Sequence, residues 1–268
     1  MNGLEGKTAI VTGGATLIGR GVVAAFRQAG TRVLVADIDT DGGESLAREL
    51  GDGVRFVRTD LTSDGDVEAC VQTCVEAFGG IDFLVNLACS YVDDGLDSGR
   101  EDWLTACDVN IIGGVMMTRA VRPHMVRAGG GAIVNFGSIS AKVAQTGRWL
   151  YPATKAAIVQ VTRSEAMDLA PDGIRVNSVS PGWTWSRIMS ELSHNDRAHT
   201  DSVAAPFHLL RRTGDPDEVA QTVLFLCSEH ASFITGADVA VDGGYSAMGP
   251  EQAVPAIPQL IREPEPTG

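Results

Sequence analysis

Short, wholly apolar runs recur along this chain, and helical patterns separate them. Ala9-Ile10-Val11, Val33-Leu34-Val35 and Phe83-Leu84-Val85 show no alternation of apolar with polar residues. Such strands are buried on both faces, as in a parallel sheet covered by helices and unlike a half-solvated antiparallel one. The pattern predicts strands at 7–12, 32–37, 54–59, 81–86, 132–136, 174–180 and 237–241. Helices are expected over 17–29, 43–50, 64–78, 101–128, 148–170 and 216–228. At the last of these Asp215 can cap, Pro216 fits the first turn and Glu218 closes a capping box. Right-handed crossovers then give an α/β, doubly wound, Rossmann-type fold: seven parallel strands with helices on both faces.

No linker interrupts residues 1–249, which read as one domain. Within it, residues 183–212 are too long a connection to be slack and read as a lid. Residues 250–268 form a proline-rich tail that cannot be one continuous helix; it packs on a neighbouring subunit or is disordered.

The formal charge of −13 argues against a nucleic-acid or anionic-membrane partner, since both require basic surface. No apolar run approaches the ~18 residues of a membrane span. The first residues, Met1 to Lys7, lack a signal-peptide pattern. Five cysteines without a CxxC pair point to a reducing cytoplasm and to no metal site. Cys70 and Cys74 share a helix face with Val67, Val71, Val75 and Phe78, so they read as core.

The 31 glycines form no repeat and punctuate the apolar runs. One cluster follows the first strand directly: Thr12-Gly13-Gly14-Ala15-Thr16-Leu17-Ile18-Gly19. Glycines there let the chain turn sharply toward a pyrophosphate, and the next helix offers free N–H groups at its positive end. Gly13, Thr16, Leu17, Ile18 and Gly19 are the candidate contacts. Asp37 ends the second strand, where a carboxylate accepts hydrogen bonds from a ribose diol and repels a 2′-phosphate. Residue 38 is Ile, and no Lys or Arg lies within 12–19, so NAD(H) is favoured over NADP(H). The plainer reading of Asp37 is a loop cap.

Tyr151 and Lys155 stand one helical turn apart, on one face. A phenol is a poor base at neutral pH; a nearby ammonium, together with a positive nicotinamide ring, favours phenolate and is expected to lower its pKa. Tyr151 can then exchange a proton with an alcohol or ketone oxygen. Ser138 ends the fifth strand, where ligands bind in such sheets, and can hydrogen-bond the same oxygen. A turn or N-cap serine is the alternative.

These residues together resemble the short-chain dehydrogenase/reductase family, in its shorter single-domain branch, over about residues 5–245. The resemblance is carried by the 12–19 turn, Asp37, Asp60-Leu61, Asn86-Leu87-Ala88, Asn110, Ser138, Tyr151 to Lys155, Asn177, Pro181-Gly182 and residues 235–244. It implies a catalytic tetrad of Asn110, Ser138, Tyr151 and Lys155. Lys155 would also hold the nicotinamide ribose, and Asn110 would position a water leading to Lys155. Asp60 and Leu61 match the pair contacting adenine, and Asn86 and Ala88 match a stretch along the cofactor. Pro181 and Gly182 match the turn beside nicotinamide, and Thr184 and Ser186 match positions bonding its carboxamide. A homotetramer is implied as well.

Two departures stand out. Leu17 replaces the usual middle glycine, which is expected to restrict φ and backbone approach. Leu87 and Cys89 replace an Asn and a Gly beside the fourth strand.

The expected activity is interconversion of a secondary alcohol and a ketone, on a sugar, polyol or cyclic substrate. Candidate pocket walls are Tyr91, Ser140, Gln145, Trp149, Trp183 and Trp185, although these aromatics could equally pack the lid on the body. Arg148 and Arg187 could meet a substrate carboxylate but read as surface, as do His194, His199 and His208. The rival readings are a reductase of an activated double bond or acyl-thioester ketone, and a dinucleotide-binding sensor without turnover.

Overall fold

The computed structural model describes residues 1–252 and 254–260. In chain order the elements are β1 (Thr8–Thr12), α1 (Leu17–Gln28), β2 (Arg32–Asp37), α2 (Thr40–Leu50), β3 (Val54–Arg58), α3 (Asp64–Phe78) and β4 (Phe83–Asn86). Next come α4 (Arg100–Cys107), a π-helical turn (Asp108–Gly113), α5 (Gly114–Ala128), β5 (Gly131–Phe136) and α6 (Leu150–Leu169). The chain closes with β6 (Ile174–Pro181), α7 (Arg187–Leu192), α8 (Arg197–Ala204), α9 (Pro216–Cys227) and β7 (Asp238–Val241).

The strands form one parallel sheet in the order β3-β2-β1-β4-β5-β6-β7. Alternate strand residues enter two different cores, because successive side chains point to opposite faces. Ala9, Val11, Val33, Val35, Phe83 and Val85 pack under α1 and α9 with Val22, Phe26, Val219 and Val223. Ile10, Leu34, Leu84, Ile133 and Val176 pack under α3, α5 and α6 with Cys70, Cys74, Met117, Val121 and Leu169. That double burial explains why the strands read as unbroken apolar runs.

The strand order reverses between β1 and β4, which opens a crevice at their carboxyl ends. Thr12 Oγ1 bridges it, accepting from the N–H groups of Leu87 (3.1 Å) and Ala88 (3.3 Å).

The helix expected over 101–128 is present as one rod from Arg100 to Ala128, with the π-helical turn set within it. By length and composition that rod could cross a membrane, yet Met117, Val121 and Met125 are fully buried against the sheet. Residues 183–212 contain α7 and α8. Helix α2 starts three residues early because Asp39 caps it, accepting from Gly42 N at 3.0 Å. His208 is buried rather than on the surface: its Nδ1 faces Ala204 O at 2.9 Å and its Nε2 accepts from Trp183 N at 3.3 Å. In the tail, a short 3-10 turn spans Ile257–Leu260, while residues 253 and 261–268 lie outside the described residues.

Candidate active site

At the end of β1, Gly13 adopts φ +67° and presses on the end of β4; a Cβ there would lie 2.8 Å from Ala88 Cα. Gly19 is tighter, since its Cβ would meet Gly13 O at 2.2 Å. Thr16 caps α1 by accepting from Gly19 N at 3.1 Å, and its hydroxyl donates to Gly13 O at 2.8 Å. Leu17 opens α1 without a positive φ, and its side chain is exposed. Its φ is one that any residue adopts, because the position is already helical. Leu87 is buried in the core under α1 and α9, so the missing Asn is replaced there by packing.

The Asp37 carboxylate lies beside this turn. It accepts from Ala15 N at 2.9 Å and from Asp39 N at 3.0 Å, so it organises the turn and caps the following loop. Each oxygen keeps a further lone pair for a diol. Ile38 next to it is exposed and offers an apolar face. Leu61 and Thr62 follow Asp60, whose carboxyl is held below its ordinary value chiefly by the Thr62 hydroxyl.

Asn86 donates to Gly114 O (3.2 Å) and to Asn135 Oδ1 (2.9 Å), while its own Oδ1 is buried without a partner among the described residues. It lines a cavity of about 10 Å³ with Leu61, Ala88, Asn110, Phe136 and Lys155, room for roughly one water. Asn110 sits in the π-helical turn, where its amide bonds Ser90 at both ends (2.6 and 3.1 Å) and donates to Thr154 Oγ1 at 3.1 Å. Lys155 is buried and donates to Phe136 O at 2.8 Å. Its Nζ lies 5.5 Å from the Tyr151 ring centre. Ser138 accepts from Ser140 N at 3.1 Å, and Ser140 Oγ donates to Gln145 at 2.8 Å.

For the Tyr151 phenol, burial outweighs the charges that the protein itself places around it. Burial pushes its pKa up to about 12, the Cys89 thiol adds to the rise, and Ser138 and Arg148 oppose it. Desolvation penalises the charged form more than the surrounding cations favour it. Tyr91 stacks on the Tyr151 ring at 5.3 Å and 17°, and the Arg148 guanidinium lies 4.7 Å from its centre.

The other residues expected at the site make contacts of their own. Trp183 packs on Phe207 and His208, and Trp185 lies under Arg197, so both hold residues 183–212 together. Trp149 is exposed at the start of α6. Gly182 N donates to Val241 O at 3.0 Å, and a Cβ on Gly182 would meet Asp242 Cα at 2.8 Å. Thr184 is buried with its hydroxyl on Gly182 O (3.3 Å), while Ser186 caps α7. Asp93 was not singled out by sequence, yet it accepts N–H bonds from Trp149 and Tyr151 at 2.9 Å. No local pattern marks it, because its partners lie 56 and 58 residues away.

The arrangement offers a backbone cradle at one end and, at the other, a phenol, a hydroxyl and an ammonium within one cleft. That set can exchange a proton at a substrate oxygen.

Known proteins share this plan. A family model described as enoyl-(acyl carrier protein) reductase matches residues 13–246. The chain is 37% identical over 243 residues to a 3-alpha-(or 20-beta)-hydroxysteroid dehydrogenase of Mycobacterium bovis, covering 90% of each. It is 34% identical over 249 residues to a D-threitol dehydrogenase of Mycolicibacterium smegmatis, covering 91% of this chain and 94% of that one. Among solved structures it resembles a 3-ketoacyl-(acyl-carrier-protein) reductase from Brucella melitensis complexed with NADH, with TM-score 0.82 and 33% identity. That match covers 91% of this chain and 99% of the other.

Proposed function

The chain belongs to the short-chain dehydrogenase/reductase family and is an NAD(H)-dependent oxidoreductase, and from that premise we propose that it interconverts a secondary alcohol and a ketone with Tyr151 as the acid/base. The observation that carries this reading is the cleft itself: Tyr151, Ser138 and the buried Lys155 meet beside the β1–β4 crevice.

The residues present fit a dinucleotide. Gly13 and Gly19 let the turn close on itself without a Cβ in the way, α1 presents its N-terminus in front of that turn, and Asp37 stands at the ribose end with Ile38 exposed beside it. Gly13, Thr16, Leu17, Ile18 and Gly19 would hold the pyrophosphate. Asp60 and Leu61 would face adenine, Asn86 and Ala88 would run along the cofactor, and Pro181, Gly182, Thr184 and Ser186 would surround the nicotinamide. The nicotinamide supplies or accepts hydride when bound. In ketone reduction Tyr151 delivers its phenolic proton to the substrate oxygen, and in alcohol oxidation it takes one back. Ser138 donates a hydrogen bond to that oxygen as charge develops. Lys155, steadied on Phe136 O, holds a ribose hydroxyl and favours phenolate. Asn110 borders the small cavity that reaches Lys155, a path for the proton.

The substrate is a cyclic alcohol, sugar or polyol, a reading supported by the steroid and threitol dehydrogenases among its relatives. Tyr91, Ser140, Gln145 and Trp149 would wall the pocket, while Trp183 and Trp185 would serve the packing of residues 183–212 on Phe207, His208 and Arg197. A second reading, reduction of an acyl-thioester ketone or activated double bond, is favoured by the family model and the Brucella relative. A homotetramer in the cytoplasm belongs to the same reading, and a stable monomer by light scattering would count against it.

The test is NADH absorbance over a panel of cyclic alcohols, polyols and acyl-thioester ketones. Tyr151→Phe is expected to lose most turnover and keep NADH binding. Wild-type turnover in that variant refutes the assignment.

A further inference from the structure

We propose that Asp93 is a positioning residue for the reaction, a carboxylate that reaches from the loop after β4 to hold the start of α6. The inference rests on the reading of Tyr151 as acid/base.

Helix α6 opens without a side-chain cap of its own, since Trp149 at the cap position provides none. Its first N–H groups would be orphaned. Asp93 meets them: Oδ1 accepts from Trp149 N at 2.9 Å and Oδ2 from Tyr151 N at 2.9 Å. A third bond, from Gly95 N at 3.2 Å, shapes the loop that presents the carboxylate. The Asp93 side chain is 1% exposed, and Arg148 Nε lies 3.9 Å from Oδ2. Burial alone would raise the Asp93 carboxyl, but backbone N–H groups of Trp149, Tyr151, Leu150 and Gly95 together hold it below its ordinary value. It is therefore an anion at neutral pH and an acceptor on both oxygens.

The same loop touches Tyr151 a second time. Tyr91, two residues earlier, stacks on its ring at 5.3 Å. Gly95, at φ +55°, rests on Gly147, where a Cβ would come within 3.1 Å of the Gly147 carbonyl carbon. The loop after β4 thus fixes Tyr151 at its backbone N–H and at its ring, from outside the helix. A displacement of ~1 Å at a reacting group is enough to lower a rate ~100-fold. A cap that only stabilised the helix would lower the melting temperature and leave the folded enzyme's kcat unchanged.

The experiment compares full-length wild type with Asp93→Ala, Asp93→Asn and Tyr151→Phe, using NAD⁺ and the best alcohol of the panel. Asp93→Ala is expected to lose kcat by about 10- to 100-fold, with NADH affinity unchanged and the alcohol KM moving less than kcat. Asp93→Asn keeps one acceptor oxygen and is expected to fall between wild type and Ala. A wild-type kcat in Asp93→Ala overturns the inference. So does an equal loss in the Ala and Asn variants accompanied by weakened NADH binding. If Tyr151→Phe instead retains full turnover, the acid/base reading fails and this inference with it; a slow Tyr151→Phe beside an unaffected Asp93→Ala refutes the inference alone.

Discussion

The ionisation of Tyr151 is open to direct measurement, because the chain holds only three tyrosines, Tyr91, Tyr151 and Tyr245. Moving a phenol from its ordinary value of 10 to about 12 disfavours the phenolate by about 3 kcal/mol. At about pH 8 this leaves roughly one phenol in ten thousand ionised. The sign is set by burial: the neutral form is favoured, so the proton leaves only as pH rises well past 10. Ketone reduction, which needs the phenol, is expected to hold its rate through neutral pH. Alcohol oxidation, which needs phenolate, is expected to climb with pH. The assay is a tyrosinate absorbance titration of wild type and Tyr151→Phe without cofactor, with circular dichroism at each pH to separate unfolding from ionisation. The difference between the two curves is expected to contain one tyrosine with a midpoint near 12. Adding NAD⁺ is expected to pull that midpoint down, since a positive ring favours phenolate. A cofactor-free midpoint at or below 10 would refute the reasoning that desolvation outweighs Arg148 and Ser138.

Three further outcomes follow from the geometry. Asp37→Asn removes a charge-assisted acceptor worth about 1.5–3 kcal/mol, so kcat/KM with NAD⁺ is expected to fall about 10- to 150-fold while NADP⁺ loses less; an unchanged ratio between cofactors contradicts the ribose assignment. Glu218 is held down to about 2, mainly by its hydrogen bonds to Arg212. Its stabilising effect is present above pH 4.5 and is lost as pH falls toward 2, so Glu218→Gln should match wild type at the acid end. Near neutral pH an exposed pair of this kind contributes at most about 1 kcal/mol, a loss of a few degrees in thermal melting. Met117→Ala opens a fully buried site under α5 and is expected to destabilise by about 2–5 kcal/mol in denaturant titration.

The sheet was legible in sequence because its two-sided burial writes itself into consecutive residues, as in Ala9, Ile10 and Val11. The phosphate turn was legible because glycine is required where backbones nearly touch, as at Gly19 against Gly13. Asp93 was not, because its partners are set by the loop's path and not by spacing. Nor was the strength with which burial opposes ionisation of Tyr151, since counting cations near a phenol says nothing of how much water is removed. His208 looked like lid surface because polarity alone cannot reveal that both ring nitrogens find partners.

The π-helical turn at Asp108–Gly113 has a consequence for how the long rod tolerates change. Each residue of an α-helix advances the face by about 100°, and the wider turn takes up one more residue than an α-turn over about the same rotation. Deleting one residue there would therefore leave an even helix with α4 and α5 still facing as they do now. What would be lost is the place of Asn110, whose amide reaches Ser90 and Thr154 from inside the wide turn. The rod should keep its packing on the sheet after such a deletion while the site loses the position of that amide.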